Sequence, residues 1–462
     1  MRLVRTMYQL LYRLHHHPFE RPVTVYLVGG GTYRQELTDG RHQPGLVSPL
    51  VWGIMGTGMQ KIEWARQYMP VLEAIRERFS KEHPLRGTRI GMALHVEAKT
   101  ANLVATLVSG GAEVFITGCN PLSTQDDVAS ALNSMDGVEC YAKRGASVQE
   151  YYAAIDRVLD AEPDVTVDDG MDLIHRIHTK RTELIPKVIG GCEETTTGVH
   201  RLRAMARDQQ LMFPVIAVND TPMKRFFDNV HGTGESALTA IMVTTNVLMA
   251  GKCVVVAGYG YCGRGLARKL HGLGARVIIT EIDPRRALEA YMDGFLVMPM
   301  DEAVRNGEIF ITTTGNTSVI TSRHFSMMRD GAILANAGHF NVEIDVKWLE
   351  EHAGRIERRD GIDSYQVGTK KVHVLAEGRL VNLASPKGMG HPVEVMDLSF
   401  ALQALCVLHI AGHGRNLSPG VYPVPESIDE EVARTKLTAL GLAIDSLTPS
   451  QEHYLASWDE GT

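Results

Sequence analysis

The stretch GKCVVVAGYGYCGRGLARKLHGLGARVIITEID, residues 251–283, constrains the fold more than any other part of the chain. An apolar strand from Cys253 to Ala257 runs into Gly258, Gly260 and Gly263 at the spacing GxGxxG. A helix follows, then a second strand from Arg276 to Thr280 that ends at Glu281. Each glycine has a task in a dinucleotide-binding βαβ unit: Gly258 for the tight turn, Gly260 for close approach of a pyrophosphate, Gly263 for close helix–sheet packing. The helix N-terminus then faces the phosphate charge. Glu281 stands where a carboxylate accepts both ribose hydroxyls, which favours NAD+ over its phosphorylated form, although Arg285 and Arg286 follow closely.

Similar alternation extends to both sides. RIGMALHV, AEVFITG, DVTVDDG and FPVIAVND read as strands separated by helical stretches, and IFITTTG and GAILANAGHF continue the pattern after the glycine motif. The expectation is an α/β chain with two doubly wound parallel sheets, one binding substrate and one binding NAD+, joined by hinges near 218–235 and 385–391. A chain of 462 residues exceeds what one core usually organises. The predicted division is an N-terminal extension over 1–57, a substrate domain from 58–218 and 391–440, an NAD domain over 219–390, and a tail over 441–462. In the extension, VTVYLVGGGTY suggests a strand and a turn, and a start at Met55 or Met59 is open. GMQKIEWARQYMPVLEAIRERF predicts one amphipathic helix with Ile62, Ala65, Met69, Leu72 and Ile75 on a common face.

A net charge of −7 gives no basic footprint for nucleic acid or a membrane surface. No apolar run is long enough to span a bilayer, and the basic N-terminus lacks the apolar core of a secretory signal. Six scattered cysteines without a CxxC pair point to free thiols in a reducing compartment, so a cytoplasmic location is expected. No metal centre is expected either, since His15, His16 and His17 read as surface residues.

Polar clusters fall where predicted strands end, the usual place for α/β active sites. They are His95, Asp168-Asp169, Glu193-Glu194 and Asn219-Asp220, with Lys224, Asp228 and Asn229 close behind, and His339 and His391 from later segments. An isolated strand-end carboxylate is more often a helix cap. A lysine, carboxylates and histidines beside a dinucleotide site form a set suited to proton transfer, and burial is expected to lower the lysine pKa.

The strings CNPLSTQDD, DDGMDLIHRIHTK, EETTTGVHRLRAM, ITEIDPRRALEAYMDGF, TTTGN, GHFNVEIDVKWL and LAEGRLVNLA resemble those of S-adenosylhomocysteine hydrolases, from about residue 60 onward. The resemblance implies a reversible, redox-assisted hydrolysis of a small nucleosidyl-homocysteine. Bound NAD+ transiently oxidises the ribose 3′-hydroxyl, the C4′ proton becomes acidic, homocysteine leaves, water adds, and the cofactor is regenerated. By position, it implies that Lys224 and Asp228, supported by Asn229, move the 3′-hydroxyl proton. Asp169 and His95 look like the acid/base groups for C4′ and the leaving thiol. Glu194 and Thr195 resemble the ribose-holding residues and His339 the residue at the homocysteine side. His391, Met396 and Phe400 resemble the purine-side wall. Thr195, Thr196, Thr197, Asn229, Thr312, Thr313, Thr314, Asn316 and Asn382 join Gly258, Gly260, Gly263 and Glu281 around NAD+. A homotetramer or homodimer is implied, with domain closure about the hinges.

Three departures from the family pattern carry consequences. Where the family places a threonine and a glutamate facing the purine, LHVEAKT gives Glu97 and Lys99. A lysine only donates and an ionised glutamate only accepts, which suits hypoxanthine, so S-inosylhomocysteine is an alternative substrate. In the competing reading these two side chains pair with each other. The sequence ends SWDEGT, so the lysine- and tyrosine-bearing tail of many relatives is expected to be missing and NAD+ to be held by other contacts. Thr233 and Gly234 stand where a cysteine and an arginine are common, so no thiol is expected there. Other readings are an NAD-dependent 2-hydroxyacid dehydrogenase and a non-catalytic NAD-binding regulator.

Overall fold

The computed structural model describes residues 24–26, 32–34 and 56–458. The chain divides into two compact units, residues 1–56 and 57–462. In the first, β1 (Thr24–Tyr26) and β2 (Thr32–Arg34) pair antiparallel, so VTVYLVGGGTY gives two strands rather than one. The histidine run 15–17 and the glycines 29–31 lie outside the described residues.

The second unit holds two sheets. Seven strands make the first: β3 (Arg89–Leu94), β4 (Glu113–Gly118), β5 (Val138–Cys140), β6 (Val165–Asp168), β7 (Gly190–Glu193), β8 (Pro214–Ala217) and β17 (Gly420–Tyr422), in the order β17-β8-β7-β6-β3-β4-β5. All pairings are parallel. From β3 the chain winds one way through β4 and β5, then returns to build outward from β6. The switch point therefore lies between β3 and β6, where ligands of open α/β sheets bind.

The second sheet has the order β11-β10-β9-β12-β13-β16-β15-β14. It is built from β9 (Cys253–Ala257), β10 (Arg276–Thr280), β11 (Leu296–Val297), β12 (Ile309–Thr312), β13 (Ala332–Asn336), β14 (Ile356–Arg359), β15 (Ile362–Val367) and β16 (Lys370–Leu375). The strands from β11 to β16 run parallel across the sheet, but β15 and β14 add antiparallel. The sheet is mixed because short links such as Gly368 (φ +60°) permit only hairpins there.

The helix expected over residues 58–79 is two helices, Thr57–Gln67 and Pro70–Glu82. Pro70 has no N–H to continue the first helix and is suited to open the second. The apolar face survives the break, with Ile62, Ala65, Met69, Leu72 and Ile75 all buried. The second helix takes its cap from a distant residue. Asp397 accepts hydrogen bonds from Val71 N (3.3 Å) and Leu72 N (2.9 Å) and pairs with Lys436 at 2.9 Å.

Asp397 belongs to the helix Val393–His413, which packs on the first sheet and its helices. With the turn that follows, to Asn416, it has the length and mean hydropathy (1.6) of a bilayer span, unlike the expectation from strict apolar runs, yet most of its apolar window is buried in the protein. Its residues 396, 399, 400 and 403 share one helical face. That face looks into the cleft between the sheets.

Candidate active site

Strands that end side by side put their next residues side by side. His95 follows β3, Asp169 follows β6, Glu194 follows β7 and Asn219 lies just past β8, all at the carboxyl edge of the first sheet. Lys224 follows, and then the chain adopts a π-helix over Arg225–Gly232. The wider i→i+5 turn brings positions 228 and 229 to the same side as Lys224. Lys224 Nζ lies 3.3 Å from Asp228 Oδ1 and 2.9 Å from Asn229 Oδ1, with Asn219 Oδ1 at 3.4 Å and Glu194 Oε1 at 3.7 Å. Burial alone would push the Lys224 ammonium down, but Asp228, Glu194 and Asp169 outweigh it and hold its pKa above the ordinary lysine value. The sequence-based expectation of a lowered pKa is thus reversed, because burial here comes with three carboxylates.

Asp228 is held from three sides. Lys224 and His391 Nδ1 (3.0 Å) share one oxygen, and Ser399 Oγ donates to the other at 2.8 Å. Burial opposes its charge, but these cations and donors keep it well below the usual carboxylate range. Glu194 accepts from Gln403 Nε2 through one oxygen, while the other is buried with no hydrogen-bond donor among the described residues. Burial, only partly offset by Lys224, raises the Glu194 pKa to about 8.

Asp169 lies between two imidazoles, His95 Nε2 and His339 Nδ1, each at 3.4 Å. The contact requires Gly170, whose φ is +106° and whose Cβ, if present, would stand 2.5 Å from His339 Nε2. Behind His95, Nδ1 meets Ser123 Oγ at 2.7 Å and Cys119 Sγ at 3.2 Å. Burial lowers the His95 pKa from 6.5 to about 4, against the pull of Asp169. As pH falls, the unfolded chain takes up this proton first, so stability drops between about pH 6.5 and 4. The thermal midpoint should be lower at pH 5 than at pH 7, and His95→Asn should narrow that gap. An unchanged gap would show that His95 does not carry it.

The neighbouring carboxylates have other duties. Asp168 accepts from the amides of Asp169 and Ile174 (both 3.1 Å), and Glu193 from those of Gly170 (2.9 Å) and Thr195 (3.0 Å). They shape the loops that carry Asp169 and Glu194.

Glu97 and Lys99, both buried, pair at 2.8 Å and line the cavity. Glu97 also caps the helix Ala98–Ser109, and Lys99 Nζ donates to Met389 O at 2.7 Å. His391, Met396 and Phe400 line the same cavity. Cys262 Sγ lies 3.5 Å from Thr233 Oγ1, and both line the same cavity. A thiol therefore does stand beside Thr233, supplied by the glycine motif. Sequence reading missed Cys262, Ser399 and Gln403, whose partners are 29, 171 and 209 positions away.

The second sheet presents a cradle at its own switch point, between β9 and β12. Gly258 has φ +97°, and a Cβ at Gly263 would meet Gly258 O at 1.9 Å. At Gly260 a Cβ would find, among the described residues, only Arg286 Nη1, at 3.6 Å. This open space lies at the start of the helix Tyr261–Gly272, which has no side-chain cap. Glu281 accepts from the amides of Tyr259 (2.7 Å), Ile282 (2.7 Å) and Asp283 (3.0 Å), and Arg285 is turned away onto Asp283 at 2.8 Å.

The threonines expected to line the cofactor serve it less directly. Thr312 is fully buried, its hydroxyl on Asn336 Oδ1 at 3.0 Å, so its side chain does not face the cleft. Thr313 donates to Ala257 O (2.9 Å), bracing the glycine turn, and Thr314 to Glu343 (2.6 Å). Asn316 is exposed and closes its own turn onto Thr317 N. From the first sheet's side, Thr195 and Thr196 line the cavity, while Thr197 Oγ1 faces Gly315 across the cleft. Asn382 donates to Ser236 Oγ at 3.0 Å and keeps its buried Oδ1 without a partner among the described residues, an acceptor suited to an amide N–H. The residues present therefore fit NAD+.

Residues 53–188 match the family model for S-adenosyl-L-homocysteine hydrolase, and residues 229–388 match the model for its NAD-binding domain. Named relatives agree over nearly the whole length. An S-inosyl-L-homocysteine hydrolase of Methanosarcina acetivorans is 58% identical over 88% of this chain and 99% of its own. The chain belongs to the S-adenosyl-L-homocysteine hydrolase family. Adenosylhomocysteinases of Haloquadratum walsbyi and Archaeoglobus fulgidus are also 58% identical, each over 88% of this chain and over 94% and 100% of their own. Members named for either purine are thus equally similar. The protein is a hydrolase with an NAD-binding domain of this family, and its cofactor is NAD+.

Proposed function

We propose that this hydrolase splits S-adenosyl-L-homocysteine reversibly into adenosine and L-homocysteine, as the residues around its cavity are arranged to do. One observation carries the reading. Asp169, bracketed by His95 and His339, faces the Lys224–Asp228 pair in one cavity between the carboxyl edges of the two sheets. NAD+, when bound, supplies a hydride acceptor and returns the hydride at the end of the cycle. Gly258, Gly260, Gly263, Glu281 and Asn382 would hold it. Lys224 holds and moves a proton at the ribose 3′-oxygen, with Asp228 and Asn229 fixing its ammonium. Glu194 accepts from the ribose hydroxyls through Oε1, which faces Lys224 and receives no hydrogen bond among the described residues. Asp169 and His95 handle the proton at C4′ and the one delivered to the leaving sulfur.

Release of homocysteine, followed with a thiol reagent, tests this. Thiol from neither nucleosidyl-homocysteine, with NAD+ bound, would overturn it.

One arrangement favours S-inosyl-L-homocysteine as a second substrate. Lys99 Nζ has three N–H groups, and Glu97 and Met389 O occupy two. The third is a donor for a purine O6, which hypoxanthine has and adenine lacks. In the inosyl reading, Lys99→Gln lowers inosyl turnover relative to adenosyl turnover by about tenfold, the value of one charge-assisted hydrogen bond. An unchanged ratio assigns Lys99 to the Glu97 pair alone.

A cytoplasmic setting is supported by six free cysteines. Homotetramer or homodimer assembly is supported by exposed Leu442, Ile444, Leu447, Leu455 and Trp458 in the C-terminal segment.

A further inference from the structure

A line of contacts leads outward from His339. Its ring meets Phe340 edge-on, with centroids 4.6 Å apart, and the Arg201 guanidinium carbon lies 5.7 Å over the Phe340 ring. Arg201 comes from the helix Thr196–Arg207, which begins just after Glu194. Its Nη1 donates to Gly170 O and, at 2.8 Å, to Asp172 Oδ1. Asp172 is fixed in turn by the Tyr151 hydroxyl at 2.8 Å. One corner of the guanidinium is therefore spent on the loop that carries Asp169. Among the described residues, neither Nε nor Nη2 has an acceptor, although Arg201 is only 31% exposed.

We infer that Arg201 binds the carboxylate of the amino-acid half of the substrate through this free edge. The inference rests on the hydrolase reading above. If the substrate sulfur lies beside Asp169, His95 and His339, its chain carries a carboxylate roughly 5 Å further on, at carbon–carbon bonds of about 1.5 Å. Beyond His339, Phe340 stands between that ring and Arg201 and offers an apolar face for the thioether chain's methylenes. An arginine fork matches a carboxylate with two parallel hydrogen bonds, and Asp172 keeps the fork from reorienting. The guanidinium thus selects an amino-acid thioether over an amine or alkyl one.

The test compares two thioethers of the same nucleoside in the holoenzyme: the homocysteine compound and its analogue with a 3-aminopropyl group, which lacks the carboxylate. The analogue is measured by turnover or, where turnover is slow, as a competitive inhibitor. Arg201→Met should raise KM for the homocysteine compound about thirtyfold, as expected for a lost charge-assisted pair, and change the analogue's constant less than threefold. Arg201→Lys, which keeps the charge without the fork, should fall between and guards against a Met variant that folds poorly. Equal losses on both compounds, or no loss on either, would overturn the assignment and leave Arg201 a support for the Gly170 loop. Wild-type protein that releases thiol from neither compound and binds neither would instead remove the hydrolase reading itself.

Discussion

Lys224→Met should lower thiol release by about a thousandfold, within the range that a lost general acid–base step gives. The substitution removes the lysine cation that faces the buried Asp228 and Glu194, leaving Asp228 to His391 and Ser399 and Glu194 to Gln403. It should therefore lower the thermal midpoint as well, so loss of activity alone would be ambiguous. Lys224→Arg separates the two effects. Arginine keeps the positive charge and should restore most of the stability, yet it does not give up its proton at any pH the protein survives. If Lys224 works by moving a proton, the Arg variant stays as inactive as the Met variant while recovering the midpoint. An Arg variant within tenfold of wild type would show that a fixed charge suffices, and proton transfer would have to be assigned elsewhere.

The raised pKa of Lys224 shows what sequence can and cannot deliver. That the lysine would be buried near a nucleotide could be read from VNDTPMKRFFDN, because a strand ends there and polar residues follow. The sign of its pKa shift depends on Glu194 and Asp169, which arrive from other strands at unknown distances. The same limit explains the residues that were missed. Ser399 and Gln403 read as ordinary polar positions in an apolar helix until that helix is laid across the first sheet. The π-helical turn has no composition signal, yet it lets Asp228 and Asn229 both reach Lys224. Strand ends were legible because apolar runs stop abruptly at His95, Asp168 and Glu193, and the sheet then places His95, Asp169 and Glu194 side by side. The break at Pro70 was legible too, had the proline been given priority over the apolar period. The roles of Glu97 and Lys99 could not be decided, since side chains two positions apart at a helix start can face a ligand or each other. Here they do the second and leave one donor for the first.

Gly260→Ala should abolish retention of NAD+ while leaving the protein without cofactor as stable as the wild type. A Cβ at this position meets nothing closer than the tip of Arg286, at 3.6 Å, and the backbone there (φ −72°) suits any residue. Nothing in the folded chain itself forbids a side chain. If the methyl is harmful, the harm comes from what the loop must approach, the diphosphate at the start of the helix Tyr261–Gly272. Gly263 makes the contrast. Its Cβ would stand 1.9 Å from Gly258 O, a backbone atom that cannot yield, so Gly263→Ala should lose both cofactor and stability. Gly272, with nothing within 4 Å, serves as the neutral control. Cofactor content after purification and the thermal midpoint with and without added NAD+ read both quantities. The expected pattern is a normal midpoint for Gly260→Ala that added NAD+ no longer raises, since a ligand stabilises only the state that binds it. A Gly260→Ala protein that still purifies with one NAD+ per chain would mean that the diphosphate does not pass over this glycine.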